Sequence, residues 1–427
     1  MRSLNIPLGA KSILDRLHAC GYEAYVVGGC VRDSILGKDP KDWDICTNAA
    51  PEEVERCLSD FKIIETGIQH GTVTVMLAAP YEVTTYRGDN LEEDLAHRDF
   101  TINAMAWNEG SLIDLFGGLY DLESGIIRCV GDPNERLQED ALRVLRALRF
   151  SSVYGMAIEP ETASALRKNA HLLEYVCKER IRDELCKLIV GINAFNVLAE
   201  YKDILALVIP ELKPCIGFNQ NNHYHCYDVY YHMIHAVDAF KGSSLTVKLA
   251  LLLHDIGKPR CYTEDHRGGH FYGHGEVSAD MADEILLRLK FDNATRNDVV
   301  ELIRWHNEDI KPTKRVVRRW LNRIGEKQFY RLLEVRKADI AAHSEIGKKE
   351  HLNECEKAKE IAETILAESD CFTLKDLNID GKAILDLGVP QGKEIGRILN
   401  LLLQEVIDGE LANEFQALIE RAKKEVT

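Results

Sequence analysis

Hydrophobic and polar residues follow two different periods along the chain, and the change comes near Pro133. Before Pro133, short apolar runs and two-residue alternation predict strands at 25–27 and 42–45, and a further pair that meets at Ala79-Pro80. After Pro133, apolar residues recur at helical spacing almost to the C-terminus. The pattern therefore predicts an α+β fold in which a small mixed sheet precedes a long helical region.

A glycine pair follows the first predicted strand. Gly28 and Gly29 let the backbone turn sharply and approach a ligand without a Cβ in the way. The next residues have a helical pattern with Arg32 near its start. Backbone N–H groups at the start of a helix bind anions, and a guanidinium adds a forked donor. The turn therefore suits an anionic triphosphate.

Two aspartates lie on the strand predicted after this turn. Alternate residues of a strand face the same side, so the carboxylates of Asp42 and Asp44 converge. Two hard carboxylate oxygens beside a triphosphate are what Mg²⁺ needs for in-line nucleotidyl transfer. A glycine pair or an Asp-x-Asp alone is common and usually structural or solvated. Joined at this spacing, the two predict a metal-assisted nucleotide site.

Acidic and basic side chains recur at three-residue steps in ERLQEDALRVLRALRF, residues 135–150. On one helix, Asp140 and Arg143 lie on the same face, and Arg146 and Arg149 continue it. A carboxylate accepts and a guanidinium donates hydrogen bonds, which complements the amino donor and ring-nitrogen acceptor shared by C and A and mismatches G and U. The stretch predicts selection of a base by protein side chains; an ordinary salt bridge on a helix surface is the alternative.

The second half of the chain carries histidines and aspartates on or near predicted helices. They are His232, His254, Asp255, His274, His306 and Asp339. Imidazole and carboxylate groups brought together from separate helices can bind a divalent metal, although a lone helical histidine is usually structural.

Composition indicates a globular chain of several domains. It has 427 residues, 45% hydrophobic and 29% charged, and no apolar run approaches the roughly 20 residues that span a bilayer. Residues 1–17 predict an amphipathic helix rather than a signal peptide, so we expect a cytoplasmic protein without membrane association. Twelve cysteines without a C-x-x-C pair favour reduced thiols over a disulfide framework or zinc knuckle.

The net charge of −16 argues against general nucleic-acid binding, since phosphate neutralisation normally leaves a basic footprint. Residues 311–349 are a local exception, with twelve Lys or Arg against four Asp or Glu. This stretch is either a solvated helix face or an RNA contact. RNA contact is favoured over a solvated helix face only if the same chain has a catalytic module that uses RNA.

The string YVVGGCVRDSILGKDPKDWD, residues 25–44, resembles the signature of the class II tRNA nucleotidyltransferases. These polymerase-beta-like enzymes build or repair the CCA 3′ end and include bacterial poly(A) polymerases. LEEDLAHRDFTINAMAWN, residues 91–108, resembles a second motif of that family at a helix start. It implies that Arg98 and Asp99 hold the ribose and triphosphate of the incoming nucleotide; a capping aspartate with a salt-bridged arginine is the alternative. Residues 178–189 resemble the helix that buttresses the base-recognition motif.

The later histidines and aspartates resemble the ligand set of the HD phosphohydrolase superfamily. The resemblance implies one set of ligands for a divalent metal, His232, His254, Asp255 and Asp339, and two candidates for a second metal or a phosphate contact, His274 and His306.

The family likeness implies four parts. We expect a catalytic nucleotidyltransferase head at 1–130, an all-α neck for base recognition at 131–212, an HD-type helical domain at 213–345 and a helical tail that binds tRNA at 346–427.

The function implied is tRNA 3′-end nucleotidyl transfer, adding C and A from CTP and ATP with Mg²⁺ and a two-metal mechanism, without a nucleic-acid template. In family members that add complete CCA, the segment matching Gly88–His97 is longer and flexible, and His97 stands where an arginine is usual. Addition of CC alone is therefore an alternative. Further alternatives are a poly(A) polymerase, an enzyme that is principally an HD-type metal-dependent phosphohydrolase, and a tRNA-binding protein without catalysis.

Overall fold

The chain forms two compact units, Met1–Val208 and Ile209–Thr427, in the computed structural model. The structure describes residues 4–67, 71–108, 110–266, 268–368 and 370–426. The first unit contains a mixed sheet and helices, and the second is almost entirely helical. The predicted α+β architecture is confirmed. The predicted division into four parts stays a prediction.

Seven strands form the sheet of the first unit: β1 Ala24–Val27, β2 Asp44–Thr47, β3 Lys62–Gly67, β4 Thr72–Met76, β5 Pro80–Thr85, β6 Met105–Asn108 and β7 Ser111–Asp114. Their order across the sheet is β3-β4-β5-β2-β1-β6-β7. β2 and β5 run parallel, and the other neighbouring strands are antiparallel. The sheet is therefore mixed, as predicted.

The central strand β1 is short and apolar because it is covered on both faces. Ala24, Val26 and Val27 are at most 1% exposed. In β4 only the alternate residues Val73 and Val75 are fully buried, which is the two-residue period of a strand with one covered face. β4 and β5 meet at the predicted position beside Pro80.

The strand that carries the two aspartates is shorter than predicted. β2 begins at Asp44, whereas Asp42 is exposed in the bend before it. Asp44 pairs with Val27, and β1 ends there because the glycine turn follows. Asp42 therefore has no strand residue opposite it.

The helices of the first unit are α1 Leu8–Ala19, α2 Gly29–Ile35, α3 Pro51–Cys57, α4 Leu91–Ala96, α5 Gly118–Ser124, α6 Pro133–Glu139, α7 Arg143–Tyr154, α8 Pro160–Asn169, α9 Lys178–Ile189, α10 Ala194–Glu200 and α11 Lys202–Val208. Short 3₁₀ turns occupy Thr101–Asn103 and Ala170–Tyr175, and two-residue strands β8 Ile126–Ile127 and β9 Ala157–Ile158 pair in parallel. The amphipathic N-terminal helix is present as α1; residues 1–3 of that prediction lie outside the described residues.

The prediction of one continuous helix across residues 135–150 was wrong. α6 ends at Glu139, and Asp140 is extended, with φ −146° and ψ 101°. The Asp140 carboxylate accepts the backbone N–H of Leu142 at 3.1 Å, a local bond that competes with helical hydrogen bonding. Asp140 therefore lies in a break before α7 and does not share a helix face with Arg143.

The second predicted motif also lies between elements and not at a helix start. α4 ends at Ala96, and the 3₁₀ turn begins at Thr101. Arg98 and Asp99 therefore occupy the connection between them.

The helices of the second unit are α12 Val229–Ala239, α13 Leu245–Leu253, α14 Lys258–Cys261, α15 His274–Arg288, α16 Asn293–Trp305, α17 Lys314–Ala341, α18 Lys348–Ala367, α19 Gly381–Asp386, α20 Lys393–Ile407 and α21 Phe415–Val426. A 3₁₀ turn precedes them at Pro210–Cys215, and a small hairpin, β10 Thr263–Asp265 with β11 Gly268–His270, interrupts the helices. With β9, this hairpin is the exception, within the described part of the chain, to the helical pattern predicted after Pro133.

Two apolar features organise the second unit. α13 is buried from Val247 to Leu253, as its sequence LTVKLALLL predicts for a central helix. A separate apolar cluster runs from Cys371 to Ala422 and holds α19, α20 and α21 together. Among the described residues, no helix combines the length and apolarity needed to cross a bilayer. All twelve cysteines are free.

Candidate active site and metal centre

Strand pairing places the glycine turn beside the first aspartate. Val27, the last residue of β1, pairs with Asp44, the first residue of β2. Gly28 follows Val27 and donates its backbone N–H to the carbonyl of Met105 at 3.1 Å, where β6 begins. The turn and Asp44 therefore meet at one end of the three central strands.

Three carboxylates gather around the start of β2. The parallel pairing of β2 with β5 sets Asp44 opposite Glu82, and Asp42 precedes Asp44 by two residues. Burial raises the pKa of the Asp44 carboxyl above its ordinary value, and the charges of Glu82 and Asp42 raise it further against the attraction of Arg98. A divalent cation would relieve this repulsion. Glu82 was missed by the sequence analysis; its place in the alternating strand YEVTT is its only signal.

The turn needs glycine because of both its conformation and a close neighbour. Gly28 has φ +78° and ψ −131°, and a Cβ there would lie 2.7 Å from Nη1 of Arg98. Nη2 of Arg98 donates to Asp94 at 3.2 Å, and Asp94 is only 1% exposed. The guanidinium of Arg98 is thus held against the glycine turn by a buried carboxylate.

Arg32 is fixed by partners from separate parts of the unit. Its Nε donates to Asp33 at 2.9 Å, its Nη1 to the Asn103 side chain and its Nη2 to the Tyr154 hydroxyl at 2.7 Å. Its guanidinium also lies 5.0 Å from the ring centroid of Phe150. Burial raises the pKa of Tyr154 to about 12, so its hydroxyl stays protonated and donates to Asp33 at 2.8 Å. These contacts join α2 to α7.

Asp99 joins the helix α7 to the connection that precedes β6. Its Oδ2 accepts from Nε and Nη2 of Arg146 at 2.8 and 2.6 Å, and its Oδ1 accepts from the Asn103 side chain and the Phe100 backbone, both at 2.9 Å. Burial alone would raise the pKa of Asp99, but Arg146 and the other donors outweigh it and hold that pKa below its usual range. The carboxylate is therefore ionised and has partners on both oxygens.

The helix α9, predicted at 178–189 as a buttress, packs beside α7. Its Glu184 is 5% exposed and lies 2.8 Å from Nε of Arg149 in an ion pair. The Arg149 guanidinium also lies 4.0 Å from the ring centroid of Phe150. A buried carboxylate of α9 thus sets the direction of an arginine on α7.

The two residues predicted to select the base have different surroundings. The Asp140 carboxylate is partly exposed and pairs with Nη2 of Arg180 at 2.7 Å. Nη1 of Arg143 donates to Glu139 and to a backbone carbonyl of α6, and its Nη2 donates to the carbonyl of His97, each at 2.8 Å. Three of the five N–H groups of Arg143 therefore have acceptors among the described residues.

These side chains line one open cavity of about 510 Å³, hereafter the arginine pocket. It contains all eleven residues predicted for the nucleotide site, Gly28, Gly29, Arg32, Asp42, Asp44, Arg98, Asp99, Asp140, Arg143, Arg146 and Arg149. It also contains four residues outside that prediction, Arg87, Asn103, Phe150 and Arg180. Its seven arginines stand against four aspartates in a chain of net charge −16. Positive charge is thus concentrated in the pocket that holds the glycine turn.

In the second unit, the predicted metal ligands converge. Oδ1 of Asp339 lies 2.8 Å from Nε2 of His232 and 3.3 Å from Nε2 of His254. Oδ2 of Asp255 lies 3.3 Å from each of the same two nitrogens. His232, His254 and Asp255 are at most 1% exposed. These four residues form the inner part of the histidine–aspartate cluster.

The two further candidates lie on the other oxygen of Asp255. Nε2 of His274 is 3.3 Å and Nε2 of His306 is 3.6 Å from Oδ1. The Nδ1 atoms of His254, His274 and His306 each donate to a backbone carbonyl three residues earlier, at 2.8, 2.7 and 2.6 Å. These bonds turn each Nε2 toward the carboxylates, an orientation typical of metal-binding histidines. The six predicted residues are therefore brought together.

The electrostatics of the cluster favour a positive charge. Burial lowers the pKa of His232 to about 4. Burial also lowers the pKa of His254, but attraction to Asp255 and Asp339 outweighs it and raises that pKa to about 10. Two buried carboxylates thus hold positive charge between them.

The basic stretch at 311–349 is largely paired within the second unit. Arg319 donates to Asp408 at 2.7 Å, Arg318 to Asp370 at 2.6 Å and Lys314 to Glu368 at 2.6 Å. These acidic residues follow α18, so the stretch serves to hold the C-terminal helices.

Asp114, a further aspartate at the end of β7, is a turn-forming residue. Its carboxylate accepts the backbone N–H groups of Gly118 and Leu119 at 2.7 and 2.9 Å. Those bonds fix the turn into α5.

Three family models match the chain. A poly(A) polymerase head domain matches residues 24–128, a probable RNA and SrmB-binding site of polymerase A matches 155–216, and a putative tRNA nucleotidyltransferase domain 2 matches 273–422. The head model thus covers the glycine turn and the aspartate pair.

Whole-chain comparisons agree with these matches. A CCA-adding enzyme of Ligilactobacillus salivarius is 32% identical over 447 residues, covering 97% of this chain and 96% of the relative. A crystal structure of the Bacillus stearothermophilus CCA-adding enzyme in complex with CTP has a TM-score of 0.71 at 28% identity, covering 98% of this chain and 96% of that one. The Thermotoga maritima CCA-adding enzyme complexed with tRNA shares the fold, with a TM-score of 0.65 at 21% identity and coverage of 100% and 99%. The chain belongs to the family of CCA-adding enzymes, tRNA nucleotidyltransferases with a poly(A) polymerase head domain.

Proposed function

We propose that this chain synthesises or repairs the CCA 3′ end of tRNA from CTP and ATP, with the arginine pocket as its active site. The observation that carries the proposal is the pocket itself. It joins a carboxylate pair, a glycine turn and a donor–acceptor pair suited to C and A within one cavity. These groups supply metal binding, phosphate binding and base choice without a nucleic-acid template.

Asp42 and Asp44 would hold Mg²⁺. These two carboxylates lie close to Glu82, and the repulsion among the three raises the pKa of Asp44. Such repulsion fits a site for a hard divalent cation. When bound, Mg²⁺ lowers the pKa of the tRNA 3′-hydroxyl and neutralises charge on the α-phosphate and pyrophosphate. Magnesium is our choice among divalent metals because both proposed ligands are carboxylates.

The phosphates lie, in this proposal, beside the glycine turn and within reach of two arginines. Arg98 is held against Gly28 by Asp94, and Arg32 is fixed at the start of α2. Both guanidinium groups are positioned before a ligand arrives, so binding orders few side chains.

Asp140 and Arg143 select the base. Asp140 is the acceptor for the exocyclic amino group, and the two N–H groups of Arg143 that lack an acceptor among the described residues donate to the ring nitrogen or carbonyl. Arg180 fixes the Asp140 carboxylate through its ion pair. Asp99 and Arg146 join this selecting part to the phosphate-binding part.

Addition of CC alone remains the second candidate, and one observation favours it. The segment Gly88–His97 contains the helix α4, whose first turn is capped by Asn90 accepting the N–H of Glu93 at 3.0 Å. Glu93 in turn accepts the N–H of Asp89 at 2.8 Å. A capped helix is a poor source of the flexibility that remodels the pocket from C to A.

A primer-extension assay tests these proposals. tRNA transcripts that end before CCA are incubated with CTP, with ATP, and with both. Addition of CCA with both nucleotides supports the full activity, a stop after CC supports the alternative, and long products with ATP on any RNA indicate a poly(A) polymerase. Asp44→Asn should abolish every product. The control is Asp114→Asn, a change at a turn-forming carboxylate outside the pocket, and it should retain nucleotide addition.

The histidine–aspartate cluster supports a second activity, metal-dependent phosphohydrolysis of the HD type. Its imidazole and carboxylate donors fit a divalent cation of borderline softness, held by His232, His254, Asp255 and Asp339. Hydrolysis of a 2′,3′-cyclic phosphate that survives Asp42→Ala but not Asp255→Ala would support it. Loss of hydrolysis in both variants or in neither would contradict it.

We further infer a division into head, neck, HD-type domain and tail at the boundaries 130, 212 and 345, and a cytoplasmic location. The separate apolar cluster between Cys371 and Ala422 supports a tail with its own core.

A further inference from the structure

Two histidines outside the predicted ligand set stand beside the histidine–aspartate cluster. His225 precedes α12 and His343 follows α17. Each offers one ring nitrogen, and these nitrogens and one of His232 lie within 4.8 Å of one another. The ring centroids of His225 and His343 are 4.6 Å apart, and both rings contact His232, at 4.9 and 5.2 Å. Three imidazoles this close are a ligand set typical of a transition-metal cation.

Carboxylate charge is available at the same place. Oδ1 of Asp339 lies 3.4 Å from Nε2 of His343 as well as 2.8 Å from Nε2 of His232. Asp339 therefore stands between the inner part of the cluster and the additional histidines, where one carboxylate can serve two cations.

The additional histidines border a cavity that three of the four inner ligands, His232, His254 and Asp255, do not line. This cavity has a volume of about 310 Å³ and is lined by, among others, His225, His343, Asp339, Arg336, Lys348 and His351. His232, His254 and Asp255 are not in its lining and are at most 1% exposed. Of the four inner ligands only Asp339 borders the cavity, so a cation on His232, His254 and Asp255 would lie behind the cavity wall, whereas one on the additional histidines would face the cavity directly.

We propose that His225, His232 and His343, with Asp339 beside them, hold a divalent transition-metal cation separate from the one on the HD ligands. Because His232 belongs to both ligand sets, it would bridge the two cations: its Nε2 faces the HD ligands, its buried Nδ1 has no partner among the described residues, and the ring would lose its N–H proton. The open coordination position of the additional cation faces the cavity, and basic side chains at the cavity wall admit an anionic ligand such as a phosphate group. The proposal rests on the metal centre proposed above. It adds a cation position and ligands that the resemblance to HD phosphohydrolases did not supply.

A simpler role exists for His225 alone. Nζ of Lys258 lies 2.7 Å from Asp255, 2.8 Å from Gln220 and 3.4 Å from Nε2 of His225, so His225 can act as a hydrogen-bond acceptor for an ammonium group. That role leaves Nδ1 of His225 buried without a partner among the described residues, and it gives no role to His343. Replacement by glutamine separates the two roles because a side-chain amide accepts a hydrogen bond from Lys258 but is a poor ligand for a transition metal.

Cobalt titration of the metal-free full-length protein tests the proposal. Equivalents bound and their dissociation constants are measured by calorimetry, and visible absorption of Co²⁺ reports the coordination geometry. The variants are His225→Gln and His343→Gln, with His351→Gln as a control in the same cavity and His254→Gln as a control for the HD ligands. Urea unfolding of each metal-free variant shows that the second unit is folded.

We expect His225→Gln and His343→Gln to weaken one equivalent of Co²⁺ by at least about 10-fold while another equivalent keeps its affinity. His351→Gln should match the protein without substitutions. Inorganic phosphate should alter the Co²⁺ absorption of these two proteins, which bind the additional cation, and should not alter that of His225→Gln or His343→Gln. Loss of Co²⁺ in His254→Gln, with unchanged binding in His225→Gln and His343→Gln, would overturn this inference and leave the HD centre standing. If the protein without substitutions binds no Co²⁺, both the additional cation site and the HD metal centre are overturned.

Discussion

Replacing Gly28 by alanine measures how far the candidate active site depends on its glycine turn. The backbone conformation at Gly28, φ +78° and ψ −131°, is populated almost only by glycine, so alanine there costs about 1–3 kcal/mol. The new Cβ would also lie 2.7 Å from Nη1 of Arg98, whereas ordinary contact begins at 3.4 Å. The guanidinium must therefore retreat by about 0.7 Å, the difference between those two distances. Misplacement of about 1 Å in a catalytic site costs about 10²-fold in rate.

We expect kcat/KM for CMP addition to fall by about 10²-fold in Gly28→Ala, and unfolding by urea to show a loss of about 1–3 kcal/mol. Gly37→Ala is the matched control. Gly37 follows the same helix α2 with φ +70°, but a Cβ there meets no atom within 4 Å. It should lose about 1–2 kcal/mol of stability with no change in kcat/KM. Equal kcat/KM in the two variants would show that the position of Arg98 does not matter for catalysis.

Further substitutions test other contacts of the arginine pocket. Asp99→Asn should lose about 3 kcal/mol in urea unfolding, the lower end for a broken buried ion pair, because Arg146 keeps only the more distant carboxylate of Glu184 at 4.0 Å. Since the pKa of Asp99 is lowered by folding, its contribution is present above the unfolded value near 3.9 and is lost as pH falls through the folded pKa; the variant should lack this acid dependence. Arg180→Ala breaks an exposed ion pair with Asp140 and should change stability by at most about 0.5 kcal/mol. Because Asp140 then lacks its partner, we expect more misincorporation of U and G, measured by single-nucleotide extension. Asp44→Asn should abolish transfer but raise the melting temperature, because it removes like-charge repulsion; a lower melting temperature would contradict the crowding of carboxylates.

The meeting of the glycine turn and the aspartate pair in one pocket was predictable because it is local. The glycine turn and the aspartate pair fall within 25–44, and strand and turn geometry act over a few residues. The break at Asp140 was not predictable from helical spacing, because the bond from the Leu142 N–H to the Asp140 carboxylate replaces a helical one. Both residues predicted to select the base still reach the pocket, although not from one helix face.

Contacts between distant residues could not be predicted from one sequence. Arg32 meets Tyr154 across 122 residues, and Arg180 meets Asp140 across 40. Glu82 stands opposite Asp44 only because β2 and β5 are parallel neighbours, an arrangement that alternation alone does not specify. Each of these contacts depends on the packing of separate elements.

The basic stretch at 311–349 shows the same limit for charge. Its excess of Lys and Arg is real, but Arg319 and Arg318 pair with Asp408 and Asp370, which follow 89 and 52 residues later. Counting charge along the chain could not detect these partners.

The concentration of arginine in one pocket has a consequence for the way RNA approaches. Of the 53 Lys and Arg and 69 Asp and Glu in the chain, seven basic and four acidic residues line the pocket. The remainder, 46 against 65 by subtraction, repels a polyphosphate backbone, and screening limits the attraction of the pocket to about 8 Å at physiological salt. Attraction by charge is therefore strongest at the pocket itself. A nucleoside triphosphate, or a strand end small enough to enter, experiences that attraction only once it is close to the arginines.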